Sequence, residues 1–203
     1  MPYLGSSPAR GLVGSTDIDD NAVTLPKMAH GTANQNISYD GSGVPVDVAL
    51  SAGKVLQVLG ASKTDVASTT STSMTDTGLS VAITPAATSS KILVTGHAVF
   101  STNGNSHYFY AQFVRDTTAL AIGDAASSRI RAWIGGGVDN SYNTYASGFS
   151  YLDSPSSTSE LTYKLQFKSQ TGTVVYLNSS YTDPDSNGGI RTGASIVVME
   201  IGA

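Results

Sequence analysis

The chain has 203 residues, a net charge of −4 and only 13% charged residues, with 51 Ser and Thr, two Glu and no Cys. Its length predicts one sizeable domain with a modest extension, and the scarcity of Glu and Lys excludes a helical bundle. The absence of Cys excludes a disulfide scaffold, a thiolate zinc site and a cysteine nucleophile, and the acidic balance argues against duplex nucleic-acid binding. We expect no secretory signal in MPYLGSSPARG. The sequence contains no run of about 18 apolar residues, so we predict no membrane span.

Residues 1–53 are rich in Gly and Pro and have two basic against five acidic side chains. Such a stretch buries too little apolar area to offset backbone ordering of about 1–2 kcal/mol per residue. We therefore predict an arm that docks onto partner chains. Pro26 and the capping residues Ser15–Asp17 predict at most short helical turns, one at roughly 18–22. The alternation from Ile37 to Val48 predicts a short hairpin or a pair of edge strands.

From Lys54 onward, apolar and polar residues alternate with a period of two, as along Leu161–Lys168. Runs of this kind predict strands at 55–59, 80–84, 91–101, 107–115, 128–134, 145–152, 160–168, 173–178 and 194–201, separated by Gly, Pro and Asn turns. The last run is apolar on both faces up to Glu200, which predicts a buried central strand. The predicted fold class is all-β, an antiparallel jelly-roll-like sandwich at 54–203 preceded by an extended N-terminal arm at 1–53.

Several short segments along the chain resemble a known family. The opening MPYLGSSPAR resembles the first residues of phage tail-fibre proteins, and Asp20–Ala29 (DNAVTLPKMA) with Asn36–Gly43 (NISYDGSG) resembles their linker repeats. Further similar segments lie in the predicted sandwich: KVLQV at 54–58, TGLSV at 77–81, SSKILV at 89–94, GDAA at 123–126, LDSP at 152–155 and VMEI at 198–201. These resemble the β-sandwich that ends many marine and cyanophage fibres.

The resemblance implies a homotrimeric virion fibre, exposed on the particle, with its arm attached to a tail, head or connector protein. It implies that Tyr3, Leu4, Pro8 and Arg10 belong to the virion anchor, and that the distal sandwich meets a host-surface glycan. The chain is short for a fibre, so the alternative is a head fibre, decoration protein or other accessory virion protein with no ligand. Neither interpretation requires nucleic acid, membrane insertion or a cofactor.

The sequence offers few groupings of catalytic residues. The two glutamates, Glu160 and Glu200, lie far apart on predicted strands, and no nucleophile elbow or phosphate loop is present, so we do not expect an enzyme. His97 and His107 lie on successive predicted strands but lack a third ligand for a metal. Asp183–Gly188 (DPDSNG) matches half of a calcium loop, but Ala194 stands where the bidentate Glu belongs, so an ordinary Asx turn is predicted.

The predicted binding surface centres on Trp133, the only tryptophan. Alternation along 128–134 places Arg129, Arg131 and Trp133 on one face, followed by a polar, Gly-rich loop to Tyr145. Aromatic rings beside amide and phenol groups favour glycan binding; the alternative is that Trp133 packs between protomers. The receptor-binding candidates are Trp133, Arg131, Asp139, Asn140, Tyr142 and Tyr181. We predict that the loop after Trp133 pairs with the loop at 181–189 at one end of the sandwich.

Overall fold

The computed structural model describes residues 35–39, 45–49, 53–103 and 107–202, and the chain divides into two units, Met1–Leu50 and Ser51–Ala203. In the first unit, β1 (Gln35–Tyr39) pairs antiparallel with β2 (Pro45–Ala49), which confirms the predicted hairpin. The helical turn predicted at 18–22 lies outside the described residues, as do the anchor residues Tyr3, Leu4, Pro8 and Arg10. The boundary predicted after residue 53 stays a prediction.

The second unit is built of strands joined by turns, and its described residues contain no helix. Its strands are β3 (Val55–Lys63), β4 (Ala67–Thr69), β5 (Thr75–Ile83), β6 (Lys91–Ser101), β7 (Phe109–Arg115), β8 (Thr118–Leu120), β9 (Ile134–Gly136), β10 (Tyr145–Asp153), β11 (Leu161–Ser169), β12 (Val175–Leu177) and β13 (Ala194–Ile201). Within the described residues, no helix is long and apolar enough to cross a membrane. The predicted all-β class is confirmed.

The strands form two antiparallel sheets in jelly-roll order. One sheet runs β3-β13-β6-β10, with β12 and β4 continuing it beyond the end of β13. The other runs β5-β11-β7, with β8 and β9 along successive parts of the free edge of β7. Chain connections pass back and forth between the sheets, which is the double Greek key of a jelly roll. β13 lies between β3 and β6, as predicted for a central strand.

The strand predicted at 128–134 is wrong. Phe113–Arg115 on the edge of β7 is already paired with β8, so only Phe109–Ala111 remains free for the returning chain. The chain turns at 126–129, where Arg129 N donates to Ala126 O at 3.1 Å, and pairs only from Ile134 to Gly136. Consequently Gly135 and Gly136, which were predicted to begin a loop, are part of β9, and Gly137 follows it. The sequence also gave no indication of the three-residue strands β4 and β8.

The core between the sheets is dominated by aromatic rings. Phe100 stacks on Phe109 at 4.6 Å between ring centroids, and Phe113 packs on Phe149 at 4.2 Å. All four are buried, together with aliphatic side chains from β5, β6, β11 and β13. The alternation in β11, where Leu161, Tyr163, Leu165 and Phe167 are all buried, is as predicted.

The sandwich has two distinct ends. The end that contains Lys54, Arg115 and Asp153, here called the entry end, is where the described chain enters β3. The opposite end, here called the far end, contains the loops that follow β6, β9, β11 and β12. Antiparallel strands run between the two ends, so loops cluster at both.

At the entry end, a buried carboxylate links β13 to β3 and to the connection between β5 and β6. Glu200 on β13 is fully buried and accepts hydrogen bonds from Gln57 Nε2 at 2.6 Å and from the Ala86 amide at 2.7 Å. Burial raises the pKa of Glu200, but the hydrogen bonds donated to its oxygens outweigh that effect and hold the pKa below its ordinary value. Glu160, expected on a strand, lies in the loop before β11.

A second cluster of polar side chains at the entry end is centred on Asp153. Its Oδ2 accepts from Arg115 Nη1 at 2.5 Å and from the Tyr163 hydroxyl at 2.7 Å, and its Oδ1 accepts from the Ser154 amide at 2.9 Å. Burial, followed by the hydrogen bond to the Asp153 carboxylate, raises the pKa of the Tyr163 phenol far above its ordinary value. The phenol therefore acts as a permanent donor in the fold.

Candidate functional site

Two loops meet at the far end of the sandwich. The amide of Thr182 donates to Ser141 O at 2.9 Å, which joins the segment between β9 and β10 to the segment between β12 and β13. The loop after Trp133 and the loop at 181–189 are therefore neighbours, and their predicted pairing is confirmed. Both lie at the end of the strands opposite Lys54.

An open cleft of about 470 Å³ lies where the two loops meet. It is lined by Gly137, Val138, Asp139, Tyr142, Asn143, Thr144, Tyr145 and Ile190. Three of the lining side chains are largely apolar and well exposed: Tyr142 at 48%, Ile190 at 42% and Tyr145 at 38%. Among the lining residues, Asp139 has the one charged side chain. The cleft therefore combines aromatic surface with amide, hydroxyl and carboxylate oxygens.

The first loop is shaped by an Asx turn and a buried anchor. Asn140 Oδ1 accepts from the Tyr142 amide at 2.8 Å, and Asn140 O accepts from the Asn143 amide at 3.0 Å. Val138, just before the turn, is buried and holds the loop against the sandwich. After this turn the Tyr142 side chain lines the open cleft, and its hydroxyl has no hydrogen-bond partner among the described residues.

Tyr145 is held at the floor of the cleft by glycine and by a buried ring. It packs edge-on against Phe109, with 5.7 Å between ring centroids. A Cβ at Gly136 would lie only 3.2 Å from Tyr145 Cε2, so the absence of a side chain in β9 gives the ring its place. The Tyr145 ring is therefore fixed before any ligand binds, which lowers the entropic cost of binding.

The second loop is fixed by Asn178, which is buried and adopts a left-handed conformation with φ 67°. Its side-chain Nδ2 donates to Lys63 O at 2.9 Å and to Asp65 O at 3.2 Å. Its backbone carbonyl accepts from the Thr192 amide at 3.1 Å. Further along, the Ser180 amide donates to Ile190 O at 3.2 Å. These bonds place Ile190 on the wall of the cleft.

The first carboxylate of the Asp183–Gly188 segment forms an ion pair with Arg191. Arg191 Nε donates to Asp183 Oδ1 at 3.0 Å, and Arg191 Nη2 contacts the other carboxylate oxygen. Asp183, Asp185 and Arg191 line a separate open depression of about 440 Å³. Within the described ranges, no group of three or more acidic or His side chains is placed to hold a metal ion.

Trp133 is not on an open strand face. Its indole packs against Phe113 at 5.1 Å and edge-on against Phe149 at 5.3 Å, so the ring is half-buried at the border of the core. Arg131 is exposed, and its Nε donates to Gly123 O at 2.7 Å. Neither residue lines the cleft. The shared face predicted for Arg129, Arg131 and Trp133 is wrong because this segment is not a strand.

Of the remaining receptor-binding candidates, Asp139 and Tyr142 line the cleft, and Asn140 shapes the turn between them. Tyr181 lies nearby but does not line the cleft. The Tyr181 ring packs edge-on against Tyr176 at 5.8 Å between centroids, and it is half-exposed outside the cleft. Sequence reasoning did not select Tyr145 or Ile190. The spacing Tyr142-Asn-Thr-Tyr145 was a usable signal for the first, whereas Ile190 had none. The binding roles of these residues stay predictions.

His97 and His107 are apart, and each contacts a hydroxyl group. His97 on β6 lies 2.9 Å from Ser195 Oγ through Nδ1, and His107 lies 3.1 Å from Thr173 Oγ1. The two successive strands that they were predicted to occupy belong to different sheets, since His97 lies on β6 and His107 precedes β7.

Comparison with known proteins gives structural neighbours alone: no family model matches the chain, and no curated protein matches it in sequence. Among solved structures, the chain is similar to those of infectious bursal disease virus strains Gx (14% identity, 83% of this chain, TM-score 0.40) and Gt (13%, 82%, 0.40). It is also similar to the VP2 subviral particle of that virus, at 12% identity over 82% of this chain and a TM-score of 0.36. The chain spans 41%, 46% and 43% of the respective matched chains. Values this low do not indicate a shared function.

Proposed function

We propose that this chain is a structural and adhesion protein of a bacteriophage particle, exposed on the virion, which binds a host-surface glycan in the far-end cleft. The supporting observation is the cleft itself: two loops joined by the bond from Thr182 to Ser141 present Tyr142, Tyr145 and Ile190 to solvent. The N-terminal segments that resemble tail fibres support attachment through residues 1–53.

The chemistry of the cleft favours a neutral carbohydrate. Aromatic faces of Tyr142 and Tyr145 suit the C–H faces of a sugar ring, and the Asn143 amide, Thr144 hydroxyl and Asp139 carboxylate suit its hydroxyl groups. A phosphorylated or sulfated ligand would need cationic side chains, and none lines the cleft. The open shape suits a chain-end or branched glycan that enters from solvent.

A glycan array probed with the full-length chain tests this proposal. We expect one class of neutral glycan to be retained, and Tyr142→Ala to weaken its binding about tenfold or more, a loss of at least about 1.4 kcal/mol. Ile130→Ala is the matched control, because Ile130 is 47% exposed against 48% for Tyr142 and lies outside the cleft.

Two outcomes contradict the proposal. A full-length chain that binds no glycan, or Tyr142→Ala and Ile130→Ala variants that bind equally, would remove the ligand site from the cleft. The alternative function, an accessory virion protein such as a head fibre or decoration protein with no ligand, would then be favoured. Calorimetry with the retained glycan would show the same difference independently of the array surface.

A further inference from the structure

Two tyrosine side chains lie on the outer face of the sheet that contains β5, β11 and β7. Phe109 and Ala111 on β7 are fully buried in the core, so the residues that alternate with them, Tyr108 and Tyr110, point away from it. The Tyr108 ring is 46% exposed. This part of the outer face therefore offers aromatic surface to solvent.

Both rings lie against glycines that follow the edge of the sheet. Strand register pairs Tyr110 with Gly135, so Gly137, two residues further along, comes opposite Tyr108. A Cβ at Gly135 would lie 2.5 Å from Tyr110 Cδ1, and a Cβ at Gly137 would lie 3.4 Å from Tyr108 Cδ1. The rings therefore cover backbone where a neighbouring side chain would otherwise stand, which fixes their positions.

Gly137 connects this aromatic surface to the far-end cleft. It is one of the residues that line the cleft, and it also lies beside the Tyr108 ring. Tyr145 of the cleft lies on the core side of the same edge strand, since a Cβ at Gly136 would lie 3.2 Å from Tyr145 Cε2. A ligand that leaves the cleft over Gly137 therefore meets no side chain at that residue and reaches Tyr108 next.

Lys168 lies at the other end of the same surface. It pairs with Tyr110 across β11 and β7, and its Nζ lies 5.7 Å from the centroid of the Tyr110 ring. Lys168 belongs to no ion pair among the described residues, whereas Lys164 on the same face of β11 contacts Asp76 at 2.7 Å. The Lys168 ammonium therefore keeps hydrogen-bond donors for a ligand. Tyr108, Tyr110 and Lys168 are here called the tyrosine platform.

We propose that the tyrosine platform is a second glycan subsite, continuous with the cleft across Gly137. The inference rests on the proposed function and adds the class of glycan: a linear oligosaccharide whose terminal residue lies in the cleft and whose following residues lie on the platform. The exposed face of Tyr108 suits the C–H face of a sugar ring, and the Lys168 ammonium donates to sugar hydroxyl groups. A monosaccharide would occupy the cleft alone, so the platform makes binding depend on chain length.

The test is an NMR titration of the full-length chain with the glycan retained on the array and, separately, with the terminal monosaccharide of that glycan. We expect Tyr108→Ala to weaken binding of the oligosaccharide about threefold to tenfold and to leave binding of the monosaccharide unchanged. Lys168→Ala should weaken binding of the oligosaccharide about threefold or more, again without an effect on the monosaccharide. Tyr142→Ala, in the cleft, should weaken both.

Each variant has a matched control. Lys164→Ala removes an ammonium from the same face of β11, but one that is already paired with Asp76, so it should bind the oligosaccharide as the wild type does. Leu152→Ala is the control for Tyr108→Ala, because Leu152 is 50% exposed on the other sheet. All variants should unfold at the wild-type urea concentration, which shows that the losses arise at the subsite.

Three outcomes separate this inference from the proposed function. If Tyr108→Ala and Lys168→Ala bind the oligosaccharide as tightly as the wild type, the inference is overturned and the glycan is confined to the cleft, with the proposed function intact. Equal losses for oligosaccharide and monosaccharide in Tyr108→Ala also overturn it, since that variant would then act on the cleft. A wild type that binds no glycan contradicts the proposed function itself and the inference with it.

Discussion

Replacing Trp133 by Ala should destabilise the sandwich rather than merely alter its surface. The indole packs on Phe113 at 5.1 Å and on Phe149 at 5.3 Å. Removal of a buried aromatic ring costs about 3–5 kcal/mol, and the half-buried position of Trp133 brings this to about 2–3 kcal/mol. For a domain of this size, that corresponds to a fall in melting temperature of about 5–10 °C.

The measurement is urea unfolding of the full-length chain, followed by circular dichroism because Trp133 is the only tryptophan and its loss removes the fluorescence signal. Trp133→Phe is the control. Its smaller ring can still pack on Phe113, so we expect this variant to lose less than half of the stability that Trp133→Ala loses. A Trp133→Ala variant that unfolds at the wild-type urea concentration would show that the ring packing does not stabilise the fold.

Two further predictions concern the core. Glu200→Gln should cost about 1–3 kcal/mol at pH 7, because an amide cannot accept both hydrogen bonds that the carboxylate accepts. Since the folded pKa of Glu200 is lowered, its contribution is lost as pH falls, so the gap between the two urea midpoints should close below about pH 4; a gap independent of pH would contradict this. Gly96→Ala should cost about 1–3 kcal/mol, because its Cβ would lie 2.7 Å from Ser195 O and 3.0 Å from Phe113 Cζ. Gly148→Ala, with nothing closer than 3.9 Å, should leave the urea midpoint within error, and equal midpoints for the two Ala variants would refute the steric argument.

The fold class was accessible from sequence because each long strand has one face in the core. The runs at 91–101 and 194–201 match β6 and β13 to the residue, since their inward side chains are almost all apolar, with Glu200 the exception, and their ends are marked by turns. The strand predicted at 128–134 is wrong because alternation alone does not show whether the edge of a neighbouring strand is free for pairing. Here β8, which returns in a tight hairpin directly after β7, pairs with part of the β7 edge that the segment would need.

The candidate site was partly predictable for the same reason. The polar, aromatic composition of residues 137–145 marks an exposed loop, and the turn at Asn140 follows from its side-chain carbonyl. Ile190 could not be selected, because its place on the cleft depends on Asn178, which reaches across to Lys63 O and Asp65 O. Similarly, Trp133 was selected because it is the only tryptophan. Its half-buried position could not be predicted, because its ring packs on residues of β7 and β10.

The position of the cleft at the far end governs how the sandwich would respond to mechanical load. Gly53 and Gly202 are bonded at the entry end, where Gly53 N donates to Gly202 O at 2.8 Å, while Tyr142 lies beyond the opposite strand ends. Traction between Gly53 and Tyr142 runs along the strands, and antiparallel hydrogen bonds lie across that direction, so many rungs share the force. Traction between Gly53 and Gly202 would instead peel β3 from β13 one rung at a time. A load applied between the cleft and Gly53 would therefore act on the sandwich in its mechanically strong direction.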